Sequence, residues 1–457
     1  MKTIDLNTLQ SAVAGTAAAI RIVTKLEPVG HSRDKVFPPT YAGGEYATEK
    51  RYPAIETKDD DQPLQSVLLH SVAGEANLLE EALKAAIQDG FLKVDGKNID
   101  IPLLEVNFND TSAADYVPEP ITVLDAPHRV FDAIFRDSEV SGQGEASSTL
   151  FRDTEAGKDI GKASLANATP LYQWSPTSLL FGCWNSANDK VPGKIKGNLK
   201  FARAIASEIV GYGIEQGVRV GGKIDSLGIT RLPIFEDENG NWTPIEENAR
   251  RENDNPIKFK VKKNAKGVPS EILHGNIAPS IGGAGEEDAT GGGITMKYAI
   301  QTTVLSLSAL RRMRFPYYPT NANKESENSD ESNPELERTP EDDTAARTVL
   351  TALGLVAITA QRERDYFLRS RCELRAVDSP PFEFVPQGRE VSDSDRFTLS
   401  FEQAVKLLKE AIDKASNLKW KADMPKLRPK DNLAELIRLS HERGGAEDQE
   451  QAEPSSE

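Results

Sequence analysis

The sequence predicts an α+β domain enlarged by insertions, and three observations carry that expectation. Apolar residues recur at helical spacing in segments 64–89, 345–369 and 401–417; a tight turn at Asn239-Gly240 separates two strand-like runs; and the stretch 321–343 has no apolar periodicity. At 457 residues the chain exceeds one minimal domain, and it can bury roughly three quarters of its unfolded surface.

Each element has its own signal. The N-terminal MKTIDLNTLQSAVAGTAAAIRIV reads as a first helix and strand; Asp5 at its front and the lack of a compact Leu-rich run argue against a signal peptide. Leu64, Val67, Leu68, Val72, Ala76, Leu79, Ala82 and Ile87 share one helical face, with Gly90 as the stop. LPIFEDENGNWTPI at 232–245 predicts a hairpin. Lys258, Lys260, Lys262, Lys263 and Lys266 surround Phe259 and Val261, the alternation of a two-faced strand or a projecting hairpin with lysines on one side. Long helices follow at 345–369 and 401–417. The expected organisation is a core with insertions at 1–320, a solvated acidic insertion at 321–343, completion of the core at 344–440 and an acidic tail at 441–457. No apolar run reaches the roughly 18 to 20 residues of a membrane span.

Charge is unevenly spread. The chain carries 71 acids against 55 bases, a net of −16. Segment 321–343 holds nine acids and two bases (−7), and 442–457 holds six acids and one base (−5), so the remainder is near neutral. The acidic total therefore does not argue against a nucleic-acid partner. Two cysteines, Cys183 and Cys372, and five histidines exclude a Cys-rich zinc site or a disulfide framework and fit a reducing, cytoplasmic setting.

The candidate chemistry is cationic rather than catalytic. KVPGKIKGNLKFAR at 190–203 contains Lys190, Lys194, Lys196, Lys200 and Arg203 with no acid, and Phe201 lies between two of the bases. Cations interleaved with an aromatic suit single-stranded nucleic acid, where charges follow phosphates and rings stack on bases. A second cluster spans 258–266, and a third is Arg311, Arg312 and Arg314 in LSLSALRRMRFP. Pairing of these arginines with local carboxylates is the competing explanation. The glycine-rich IGGAGEEDATGGG at 281–293 is not a P-loop, since no Gly-Lys-Ser/Thr follows and three acids interrupt it. Asp237, Asn239 and Asn241 have the wrong glycine position for a calcium loop. No G-x-S-x-G or H-E-x-x-H accompanies the histidines.

Nine further stretches stand in order along the chain: PPTYAGGEY (38–46), VLLHSVAGEANLLEEAL (67–83), APHRVFDAIFRDS (126–138), SPTSLLFGCWNS (175–186), KFARAIASEIVGY (200–212), KIDSLGI (223–229), HGNIAPS (274–280), TTVLSLSALRRMRF (302–315) and LRSRCEL (368–374). Together they resemble the backbone subunit of the CRISPR Cascade effector of subtype I-G (formerly I-U), the Csb family of the RAMP superfamily. Asn185 stands where the family pattern has aspartate, and Ser226 where it has proline. The resemblance implies an RRM-like, ferredoxin-type core with insertions forming a thumb (here 232–268) and a web, plus C-terminal helices. It implies a non-catalytic subunit that polymerises as a helical filament along the spacer part of crRNA and presents it to target DNA in antiviral defence. Its partners would be the large subunit, a fused fifth-and-sixth-type RAMP subunit and a recruited helicase-nuclease, with no cofactor, metal or membrane. With the cationic clusters, the RNA-binding set becomes Arg129, Lys194, Lys196, Lys200, Arg203, Lys260, Lys262, His274, Arg311, Arg312 and Arg314. The enzyme alternative is a metal-dependent RNase using Asp225 or Asp137. A generic scaffold that binds protein partners through its acidic segments is the third.

Overall fold

The structure is a computed structural model that describes residues 2–53, 62–141, 148–185, 200–229, 232–260, 266–282, 292–317, 337–364 and 366–447. Its centre is a ten-stranded sheet. The strands are β1 (Lys2–Thr3), β2 (Ala19–Pro28), β3 (Thr48–Arg51), β4 (Leu64–His70) and β5 (Ile205–Tyr212). They continue with β6 (Tyr298–Ser306), β7 (Tyr366–Arg369), β8 (Cys372–Ala376), β9 (Phe382–Val385) and β10 (Arg396–Thr398). The spatial order is β1-β10-β9-β2-β6-β5-β4-β3, with β8 also pairing with β2 and β7 with β8. The longest ladders are antiparallel: Ala19↔Ser306 to Leu26↔Ala299, and Ile205↔Leu305 to Tyr212↔Tyr298.

The α+β expectation holds. Helices α1 (Leu6–Ala14), α2 (Val72–Gln88), α3 (Pro340–Glu363) and α4 (Phe401–Lys414) build the other layer. With the β3-β4 pair inserted before α2 and β7 before β8, the elements β2, α2, β5, β6, α3 and β8 follow in the order β-α-β-β-α-β. In space those strands run β8-β2-β6-β5, and β4, which leads directly into α2, pairs on the outer side of β5.

Helix α3 anchors the core. It packs against α1, α2 and α4, and nearly every side chain from Ala346 to Gln361 is buried. By length and composition alone it is long and apolar enough to cross a membrane, contrary to the expectation that no segment is, but 89% of its apolar window is buried within the protein, as in a core helix. Gly354 permits close docking, since a Cβ there would lie 2.9 Å from Leu305 Cδ2. Thr339 caps Asp342 N, Pro340 opens the first turn, and Glu341, Asp342 and Asp343 complement the helix dipole.

Several boundaries differ from expectation. The single helix foreseen over 64–89 is strand β4 followed by α2, with Ser71 accepting from Gly74 N as the cap. Val67 and Leu69 pack with Leu26, Ile209, Met296 and Ala299 on one sheet face, whereas Leu64 and Leu68 join Val210, Tyr212, Ile300 and Tyr298 on the other. A strand with two apolar faces mimics helical spacing. The helix foreseen over 345–369 starts earlier, inside the acidic stretch, and stops at Glu363; Tyr366–Arg369 is strand. Residues 441–447 belong to a helix, Asp431–Glu447, where His441 stacks on Tyr116 at 4.7 Å. The hairpin at 232–245 forms as expected, Phe235–Glu236 with Trp242–Thr243.

Between β5 and β6 lie 85 residues, and those of them that the structure describes form small antiparallel pairs, among them Arg219–Lys223 with Ile277–Gly282. This arm exposes Val220, Ile224, Leu227, Leu273 and Ile281. A second sheet joins Ser138–Ser141 to Lys426–Pro429, tying the C-terminal part to the region after α2.

Candidate nucleic-acid interface

The chain brings Arg129, Lys200 and Arg203 to one place, next to the N-terminal half of α2. The frame is a two-stranded hairpin, Cys183–Trp184 against Lys200–Phe201, in which Cys183 pairs with Phe201 and Trp184 with Lys200. Strand alternation sorts the side chains: Cys183 and Phe201 enter the core, while Trp184 and Lys200 point outward. Gly182 closes the hairpin base at φ 80°, where a Cβ would lie 2.8 Å from Arg203 N, so only glycine fits comfortably.

Around the exposed Trp184 indole stand two further groups. Lys200 Nζ lies 5.6 Å from the indole centroid, and the His128 ring sits edge-on at 6.2 Å and 70°. His128 leads into the turn Arg129–Phe131, where Arg129 holds a left-handed φ of 53°. That conformation aims the Arg129 guanidinium inward, where Nε and Nη2 donate to the two Glu80 oxygens at 2.7 and 2.8 Å, over the Phe181 ring. Burial pushes the Glu80 carboxyl up to about 7, against the opposing pull of Arg129. Arg203 donates to Val72 O at 3.0 Å; burial and the nearby Arg129 charge lower its pKa. Neither Lys200 nor Arg203 makes an ion pair with a described residue.

The third sequence cluster is built differently. Arg311 donates to the backbone carbonyls of Val13 and Ala17, and Arg314 to those of Arg311 and Met313. Arg314 also lies 3.7 Å from the buried Asp343, which accepts from Arg338, Arg347 and the Phe315 amide. Arg312 alone of the three is exposed. Lys260 is exposed beside the arm's hairpins. His274 lies in the arm with its ring 6.2 Å from Trp242, so it does not join the hairpin cluster. Lys194, Lys196 and Lys262 lie outside the described residues, as do most of the glycine-rich loop and residues 318–336.

The two aspartates of the enzyme alternative have structural partners. Asp225 accepts from the amides of Gly275 and Ile229, clasping one turn of the arm to another, and Asp137 receives two hydrogen bonds from Arg136. Asp237 accepts from Asn239 N and Asn241 N, a turn clasp rather than a calcium loop. Among the described residues no group of three or more His, Cys, Asp or Glu is arranged to hold a metal. Both cysteines are buried, with Cys183 pushed up to about 12.

Sequence reading did not place Trp184 and His128 beside Lys200, as the structure does. Both lie in motif stretches, but nothing in a lone indole or imidazole says that it faces solvent; only the hairpin register does. No curated protein matches the chain. Residues 20–216, which run from β2 through β5 and include α2, His128, Arg129, Trp184, Lys200 and Arg203, match the family model described as CRISPR-associated protein GSU0053.

Proposed function

We propose that this chain is a non-catalytic, guide-RNA-binding backbone subunit of a CRISPR surveillance complex, of the RAMP type and subtype I-G, working in the cytoplasm. The observation that carries this reading is the convergence of Lys200, Arg203 and exposed Trp184 inside the segment that matches a CRISPR-associated family. A protein that leaves sequence reading to base pairing needs phosphate contacts and stacking surfaces, not base-specific donors. The split β-α-β core supplies a rigid base for that surface. The arm's exposed Val220, Ile224, Leu227, Leu273 and Ile281 are suited to burial against a neighbouring copy, the contact a filament along RNA requires. Target DNA then meets the guide by pairing, and the other Cascade subunits and the helicase-nuclease supply the remaining activities.

The experiment is purification without nuclease. The expected product is a large particle with elevated absorbance at 260 nm that falls to smaller species on RNase treatment. A nucleic-acid-free monomer that also fails to retain single-stranded RNA on a filter would overturn the reading. Mg²⁺-dependent cleavage of complementary RNA, abolished in Asp225→Ala, would favour the RNase alternative.

A further inference from the structure

We infer that Trp184 is the stacking platform for one unpaired nucleobase of a single-stranded RNA, with Lys200 and Arg203 holding the phosphates that flank it and His128 bounding one side. This rests on the RNA-binding reading above and adds to it a specific contact and its chemistry.

The hairpin does not need this indole for its own stability. Its core side is already filled by Cys183 and Phe201, which are 4% and 2% exposed, whereas Trp184 is 45% exposed. By contrast, Trp174, elsewhere in the chain, is 5% exposed and packed into the main core. A large aromatic ring left in water at the end of a well-anchored strand offers its faces to a planar partner.

The charges around it match a nucleotide rather than a plain apolar group. Lys200 sits directly across the ladder from Trp184, so its ammonium stays within reach of anything stacked on the indole. Arg203 follows two residues beyond that strand, held by Val72 O, with its remaining guanidinium donors uncommitted to any described carboxylate. Glu80, whose charge acts on Arg203, is bound at both oxygens by Arg129 and so competes little for that cation. His128 adds an edge that limits how far a planar ring can slide. Stacking on an aromatic ring tolerates every base, which suits a protein that must accept any guide sequence.

The full-length chain, freed of RNA, would be titrated with a fluorescein-labelled single-stranded oligouridylate and with the same oligonucleotide carrying abasic sites. Trp184→Ala is expected to weaken binding of the intact RNA by about tenfold, the loss of one stacked base. Trp184→Phe should retain most of the affinity, and the abasic RNA should bind wild type and Trp184→Ala alike. Indole emission should be quenched on binding in wild type and in Trp242→Phe, but not in Trp184→Phe. Unchanged affinity in Trp184→Ala together with unchanged quenching in Trp184→Phe overturns this inference while leaving RNA binding intact. Failure of the wild type to bind either oligonucleotide overturns the inference and the proposed function together. Because Trp184 is exposed, melting curves of both variants should match wild type; if Trp184→Ala melts early, the Trp184→Phe quenching result decides.

Discussion

Asp343 and Glu80 are both buried carboxylates held by arginine, yet their surroundings differ. Asp343, in the first turn of α3, receives Arg338, Arg347 and the Phe315 amide, and Arg347 Nη2 and Arg314 Nη1 also donate to backbone carbonyls at 311 and 313. Glu80, on α2, takes both hydrogen bonds of one buried arginine, Arg129, and leaves Lys200 and Arg203 at the surface next to an exposed indole. The first is a knot that fixes a chain crossing; the second is a buried strut beneath a cationic rim. A run of arginines in a sequence therefore says little about a ligand until the destinations of its donors are known.

The sharpest way to break that contrast is to remove the carboxylate of the knot. Asp343→Ala leaves Arg347 buried without its partner and the Phe315 N–H without an acceptor, and is expected to cost about 3–5 kcal/mol in chemical denaturation. Lys200→Ala/Arg203→Ala should instead stay within ~0.5 kcal/mol of wild type. Equal losses in the two variants would erase the distinction.

The strut makes a prediction in pH. Burial holds the Glu80 carboxyl up at about 7 in the folded state, above its ordinary 4.5. The folded state thus binds the extra proton between those values, and stability from this group is present below the lower value and lost as pH rises through the upper one. Unfolding midpoints measured from pH 4.5 to 7.5 should fall less in Glu80→Gln than in wild type. Parallel curves would mean that Glu80 is ionised throughout, held by Arg129.

The smallest effect belongs to Arg312, the exposed member of its run: Arg312→Ala should change stability by no more than ~0.5 kcal/mol. A larger loss would add it to the Asp343 knot.

How much of this was legible in the sequence follows from what periodicity encodes. The amphipathic stripe of α4, with Ala404, Val405, Leu407, Leu408 and Ala411 buried, was readable because one face meets water. Strand β4 was not, because both of its faces are covered and Leu64, Val67 and Leu68 then repeat at a helix-like interval. The start of α3 was hidden by its own acids: Glu341, Asp342 and Asp343 look like part of a solvated run yet cap and neutralise a helix end. At the interface, Lys200 and Arg203 were visible as charges without acids nearby. Trp184 and His128 were not, since their placement beside those cations depends on hairpin register and on the turn at Arg129.

The most direct test of the central claim is the salt dependence of single-stranded RNA affinity for wild type and Lys200→Ala/Arg203→Ala. Each phosphate contact contributes about 0.7 to the slope of log K against log salt, so removing two cations should shallow it by about 1.4 at unchanged thermal stability. An identical slope in the two proteins would contradict the assignment of this hairpin rim to the RNA backbone.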